Sequence, residues 1–296
     1  MAISASRNVD DNAGQERHEY DTPFFPVSFF RYDYGKYHVG WHWHEEIELI
    51  CVTEGRLLVS IGQEEFELSE GEGYFCNSGI LHKAEPVSGL CLQRAVLFHP
   101  TVIGGKNSVY YRKYAEPLIS DSSLPFIRLG KGCLWHGQIL EKMNAAWEAG
   151  SDEPAGFELK VRALLGEILL SVIQNRASGQ AARRPAVLLR KEERVKRMIV
   201  FIEQNYRRPL TSVEIAGSAD ISPSESLRCF HDILHTTPVQ FLAQYRMEKA
   251  REYLEQTALP VSEIAELCGY LDVSYFSRAF RHVCGMKPTE YRAGLP

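Results

Sequence analysis

Two stretches of this 296-residue chain gather side chains able to hold a divalent cation. His42-Trp43-His44-Glu45-Glu46-Ile47-Glu48 sets two imidazoles and a carboxylate in an HxHxxxE spacing, with Gly55 beyond it, and a second stretch carries Gly71, Gly79 and His82. Residues an even number apart on an extended strand share a face, so His42, His44 and Glu48 can project together. With His82 they supply three imidazole nitrogens and one carboxylate, a donor set that suits Zn²⁺, Mn²⁺, Fe²⁺ or Ni²⁺. The same groups, with Trp43, could instead touch a small-molecule effector directly or line a packed interior, and spacing does not choose among the three. Trp41, Trp43, Tyr74 and Phe75 could wall a pocket for a sugar-like ligand or belong to a core.

The last third of the chain carries a different chemistry. Ala216 answers Ala265, Arg228 answers Arg278, Phe230 answers Phe280 and Pro238 answers Pro288; the first pair lies 49 apart and the others 50, so one residue is inserted near Leu271. Each copy reads as a helix containing Ile-Ala, a tight turn, and a second helix opening with Ser, which is helix-turn-helix grammar. Asp220 and Gly269 fall where the turn needs a left-handed residue. Thr211 and Glu214 have capping-box spacing. The second helix of such a unit enters the major groove, so Ser222, Ser224, Glu225 and Arg228 in one copy, and Ser274, Tyr275, Ser277 and Arg278 in the other, are the expected DNA contacts. An arginine there can pair with guanine or anchor a phosphate. The bland alternative is a solvated polar face.

The elements that must position these residues follow from periodicity. Residues 1–22 read as a flexible polar arm. From Phe24 to about Phe98, short runs rich in Val, Ile, Leu, Phe and Tyr are punctuated by glycine, with a hairpin turn at Ile61-Gly62-Gln63-Glu64; this predicts an all-β module, a small barrel or jelly roll, within residues 23–133. Apolar spacing then changes to the helical period over Leu134 to Ala149 and Phe157 to Asn175, so residues 134–176 form a helical segment able to cover the barrel or to dimerise. A polar stretch at 177–188 reads as a linker. Residues 189–296 are helical, with Val239 to Gln256 joining the two repeats and fixing their separation. The expected fold class is therefore multidomain α and β: a β-barrel with two following helices, then an all-α domain of two helix-turn-helix units.

Composition narrows the function further. Net charge is −5, but from Ala186 onward 15 Lys and Arg stand against 14 Asp and Glu, net +1, whereas the preceding residues are net −6. Bulk attraction to DNA is thus weak, and binding must rest on placed residues. Seven cysteines without a CxxC pair argue against a disulfide framework or a zinc finger and for a reducing compartment. A polar N-terminus and no apolar stretch of membrane-spanning length imply a cytoplasmic protein.

Both halves resemble known families. Pro209-Leu210-Thr211, Ile215-Ala216, Arg228-Cys229-Phe230, Thr237-Pro238-Val239-Gln240-Phe241-Leu242, Arg246, Ile264-Ala265-Glu266-Leu267-Cys268-Gly269-Tyr270, Ser274-Tyr275-Phe276-Ser277-Arg278-Ala279-Phe280-Arg281 and Lys287-Pro288-Thr289-Glu290-Tyr291-Arg292 resemble the AraC/XylS transcription regulators. The first unit departs from that pattern: Ser226 and Leu227 stand where Leu then Ser is usual, and His235 replaces a glycine. The two histidine-bearing stretches resemble the two cupin motifs, with Asn77 in place of the second motif's proline. The resemblance implies a non-enzymatic, homodimeric regulator whose cupin-like domain senses a small molecule, sugar-like by preference, and modulates binding to promoter DNA, with RNA polymerase as a further partner. It implies no fixed cofactor beyond the divalent metal that the four ligands would accept. The alternative is a cupin metal sensor, or a cupin enzyme performing oxygenation or isomerisation, fused to a DNA-binding domain.

Overall fold

The computed structural model describes Tyr20 and residues 24–34, 39–176 and 185–294. The expected arm, apart from Tyr20, and linker residues 177–184 lie outside the described residues. The chain divides into two compact units, one ending at Leu188 and the other beginning at Leu189.

Among the described residues of the first unit nine strands form two sheets: β1 (Val27–Asp33), β2 (Val39–His42), β3 (Ile47–Glu54), β4 (Arg56–Ile61), β5 (Glu64–Ser69), β6 (Gly73–Cys76), β7 (His82–Pro86), β8 (Leu92–Phe98) and β9 (Phe126–Leu129). One sheet runs β1-β8-β3-β6-β9 and the other β2-β7-β4-β5, with all pairings antiparallel. The first sheet is buried on both faces, which explains why β3 is apolar at nearly every position instead of alternating. Ile50, Val52, Tyr74, Cys76, Ala95 and Leu97 point between the sheets. Their neighbours Ile47, Leu49, Cys51, Phe75, Val96 and Phe98 point the other way.

That outer face is covered by helices. A short helix, α1 (Glu116–Ile119), precedes β9, and two long ones, α2 (Leu134–Asp152) and α3 (Phe157–Arg176), follow it. Ile139, Met143 and Ala146 of α2, with Val161, Leu165, Ile168 and Val172 of α3, supply the buried stripe at helical spacing. Trp147 Nε1 donates to the Phe30 carbonyl at 2.9 Å, and the Arg94 guanidinium lies over the Trp147 ring, so a polar tip and a cation fix the register of α2. Close approach is bought with glycine at two places. A Cβ on Gly73 would lie 1.9 Å from the Ile50 carbonyl oxygen, and one on Gly150 would lie 2.2 Å from the buried Phe29 ring.

The second unit contains α4 (Ala186–Asn205), α5 (Ser212–Gly217), α6 (Pro223–Leu234), α7 (Pro238–Gln256), α8 (Val261–Leu267), α9 (Val273–Cys284) and α10 (Pro288–Ala293). Thr211 and Glu214 close a capping box on α5, as do Thr237 and Gln240 on α7. The repeat seen in the sequence is a repeat in space. Phe230 packs edge-on against Phe241, and Phe280 edge-on against Tyr291, with centroids 5.8 and 5.6 Å apart. Ala216 and Ala265 are fully buried where the first helix of each pair meets its neighbours. Asp220 and Gly269 are left-handed, at φ 56° and 75°, and the Ile221 and Tyr270 amides reach back to the Ala216 and Ala265 carbonyls. Only glycine fits at 269, where a Cβ would stand 2.5 Å from the Tyr206 carbonyl oxygen; Asp220 is exposed and takes Arg197 instead. The N-caps Ser222 and Asp272 show that the extra residue of the second turn is Leu271, which is 93% exposed.

The glycine contacts give opposite signs for one substitution in neighbouring helices. Gly166→Ala, in α3 with nothing within 4 Å of the new methyl, should raise stability by about 0.5 to 1 kcal/mol through helix propensity. Gly150→Ala should lower it by about 1 to 2 kcal/mol because the Phe29 ring must move, outweighing the same propensity gain. Urea unfolding of both variants, followed by tryptophan fluorescence, measures the pair.

Candidate functional site

The expected ligands converge inside the barrel. His42 and His82 are direct cross-strand partners at the end of the β2–β7 pairing, while His44 lies just past β2. Glu48 sits on β3, in the other sheet, opposite Cys76 of β6. The HxHxxxE run is therefore not one strand: it turns a corner between the sheets, and its two ends reach His82 from different sheets, His42 with ring centroids 4.1 Å apart and Glu48 through its carboxylate. One ring nitrogen from each of His42, His44 and His82 lies within 4.8 Å of the others, and all three residues are buried. Glu48 is fully buried, with Oε2 2.9 Å from His82 Nε2. That contact has ion-pair distance without the direction of a hydrogen bond.

Each imidazole is oriented by main chain. Nδ1 of His42, His44 and His82 lies 2.9, 3.1 and 2.8 Å from the carbonyl oxygens of Gly40, Glu46 and Ile80. An Nδ1–H donating to a carbonyl fixes the tautomer and leaves Nε2 as the basic atom, the arrangement found behind metal-ligating histidines. Tyr74 donates its hydroxyl to Glu48 Oε2 at 2.8 Å, holding the carboxylate. Burial opposes charge on His82, but the Cys76 sulfur, 3.8 Å from Nδ1, and the Glu48 carboxylate outweigh it and raise its pKa to about 10. The donor set and its supports thus fit a divalent ion.

Other expected residues fall elsewhere. Trp43 is buried, and Trp41 is half-buried with Lys83 over its ring. Phe75 faces the α2–α3 side of its sheet, because strand alternation turns it away from Tyr74 and Cys76. Cys76 and the Tyr74–Glu48 bond were not legible as site features. The only signal was the even spacing of Tyr74 and Cys76, which has meaning once β6 is known to lie opposite Glu48.

In the helical unit the expected contacts lie along α6 and α9, and they are unequally engaged. Ser222 caps α6, its hydroxyl accepting the Glu225 amide. Ser224, Ser274, Tyr275 and Arg278 are exposed, and Ser277 is half-buried. Glu225 is clasped between Arg194 and Arg228, at 3.3 and 3.2 Å. Among the described residues no such ion pair holds Arg278. Arg246 of α7 ties the domain together: it donates to the Tyr206 and Arg208 carbonyls at 2.9 Å each and lies over the Tyr270 ring of the second helix-turn-helix.

Comparison with known proteins agrees with both halves. The AraC-like ligand binding domain family matches residues 24–105, and a helix-turn-helix domain family matches residues 215–294. Over 288 residues, 96% of this chain and 97% of its relative, the sequence is 26% identical to the uncharacterized HTH-type transcriptional regulator YdeC of Bacillus subtilis. The chain belongs to the AraC family of transcription regulators. This regulator is also 26% identical over 268 residues to the HTH-type transcriptional activator RhaS of Pectobacterium atrosepticum, covering 85% of this chain and 86% of that one. Its helical unit is similar to the C-terminal domain of AraT, a response regulator from Geobacillus stearothermophilus, at 36% identity, 34% and 84% coverage and a TM-score of 0.33. It is thus a DNA-binding transcription regulator with an N-terminal ligand-binding domain. No helix among the described residues is long and apolar enough to cross a membrane.

Proposed function

We propose that the barrel site of this AraC-family regulator binds a divalent transition-metal ion through His42, His44, Glu48 and His82, and that the ion controls promoter binding by the helical unit. The observation that carries this reading is the tautomer control: three Nδ1 atoms face backbone carbonyls, so Nε2 is the ligand atom of each ring beside one oriented carboxylate, and at His82 the ion would take the place of the Nε2 proton. A sugar-like effector, the other reading, draws support from Trp41, half-buried beside His42, but loses Phe75 to the opposite face of the sheet. The ligands serve sensing and not turnover, in keeping with relatives named as transcriptional regulators. Ion and protein can be coupled only if the ion binds two states of the regulator differently.

The regulator acts on promoter DNA in the cytoplasm as a homodimer, with RNA polymerase as its further partner. Support for the dimer is an apolar groove of about 340 Å³ on α3, lined by Tyr110, Tyr114, Leu159, Leu170 and Ile173, in which Leu159 is 72% and Leu170 50% exposed. Ser222, Ser224, Glu225 and Arg228 of α6, and Ser274, Tyr275, Ser277 and Arg278 of α9, form the DNA-facing surfaces.

Metal analysis and titration calorimetry of the full-length protein test the first claim. Binding should weaken on the order of 100-fold in His82→Ala and should fall as the solution is acidified, since protons compete for the imidazoles. Promoter affinity that is the same in stripped and loaded protein would sink the sensing claim. On the DNA side, Arg278→Ala should weaken specific binding by about 1 to 3 kcal/mol, and Arg228→Ala by less, because Arg228 must first leave Glu225. Fluorescence anisotropy on promoter and random duplexes reads both, and equal losses on the two duplexes would mark Arg278 as a phosphate contact. Leu159→Glu with Leu170→Glu should convert dimer to monomer in sedimentation velocity; an unchanged dimer would place the interface elsewhere.

A further inference from the structure

The recognition helices can be compared position by position, because their ends hold the same register. Ser222 and Asp272 cap α6 and α9, each accepting the amide three residues on, and the left-handed His235 and Gly285 end them. Ser226 and Leu227 of α6 therefore answer Phe276 and Ser277 of α9. Their polarity is reversed. Phe276 is fully buried and Ser277 half-buried, whereas Ser226 is 1% exposed and Leu227 is 46% exposed. The buried Ser226 hydroxyl has no hydrogen-bond partner.

Both halves of this reversal work against folding. A hydroxyl taken from water without a partner destabilises, and an apolar side chain left in water contributes no burial. The opposite order, as in α9, would bury the apolar group and solvate the hydroxyl. Stability alone does not account for Leu227, and its position supplies another account. It lies one turn after Ser224, beside Arg228 and one turn before His231, all exposed, on the strip that a recognition helix turns toward the major groove. The one apolar group displayed on the edges of base pairs there is the C5-methyl of thymine.

We infer that Leu227 reads a thymine methyl group in the half-site of the first helix-turn-helix, a contact that Ser277 cannot make in the second. The inference rests on the DNA-binding reading of α6. Leu227 makes the methyl contact, and Arg228 anchors the helix beside it. The two half-sites then differ in kind, one carrying a methyl-dependent thymine and the other read through Ser274, Tyr275, Ser277 and Arg278.

The test uses the full-length protein and the duplex it enriches most strongly from a randomised pool. Each thymine of that duplex is replaced in turn by deoxyuridine, which removes only the methyl, and affinity is measured by anisotropy at one fixed salt concentration. At one thymine the replacement should weaken the wild-type protein about fourfold, the worth of one buried methyl, and leave Leu227→Ala unaffected. Leu227→Ser, which puts the residue of α9 at this position, should behave like Leu227→Ala, and circular dichroism melts establish that both variants are folded. If every replacement affects wild type and variants alike, the inference is overturned while DNA binding stands. If no duplex is enriched, both fall together.

Discussion

A carboxylate with no exposed surface, Glu48, is placed on a strand packed on both sides, and the first unit is organised around satisfying it. An isolated buried charge is prohibitively costly, so it must be paired and hydrogen-bonded. The pairing comes from His82 across the barrel and the hydrogen bond from Tyr74 on the adjacent strand. These partners come from different strands, and only the antiparallel register that sets Glu48 opposite Cys76 and His42 opposite His82 brings them within reach. The helices α2 and α3 enter the same account. They keep β3 dry on its outer face, and with the barrel packing inside they keep solvent from the carboxylate.

The helical unit depends on a different constraint, the rigidity of the connection between its two repeats. Helix α7 carries Arg246, whose guanidinium satisfies carbonyls at the end of α4 and lies over Tyr270 in the second repeat. Gly269 is forced by the same packing, since a side chain there would strike the Tyr206 carbonyl and Arg246. With near-neutral charge, this unit cannot rely on bulk attraction to the phosphate backbone. It must hold a few side chains in place, and a stiff connection does that. The repeats nevertheless diverge on the outward surface of α6 and α9, where Arg228 is held by Glu225 and, among the described residues, no ion pair holds Arg278. Both repeats keep a side-chain cap on the second helix, a left-handed turn residue and an aromatic core contact, while the outward residues differ.

Much of this was legible in the sequence because it depends on local rules. The repeat, its one-residue insertion, the capping box at Thr211 and the left-handed positions 220 and 269 follow from spacing and residue type alone. Even spacing suggested one strand face for His42, His44 and Glu48, whereas His42 and Glu48 lie in different sheets, and each comes to His82 because the sheets face each other. Phe75 failed as a pocket wall because alternation could not be phased until the strand's neighbours were known.

The sequence by itself determined the family, the double helix-turn-helix and the four side chains His42, His44, Glu48 and His82 singled out for the site, since these are carried by residue type and short-range spacing. Only the tertiary structure decided which ring nitrogens are available, that Tyr74 and Cys76 join the site, that Arg228 is engaged while Leu227 stands exposed, and that Ser226 is buried without a partner. Those properties depend on contacts between segments remote in the chain. They follow from strand register and helix packing, which no local pattern encodes.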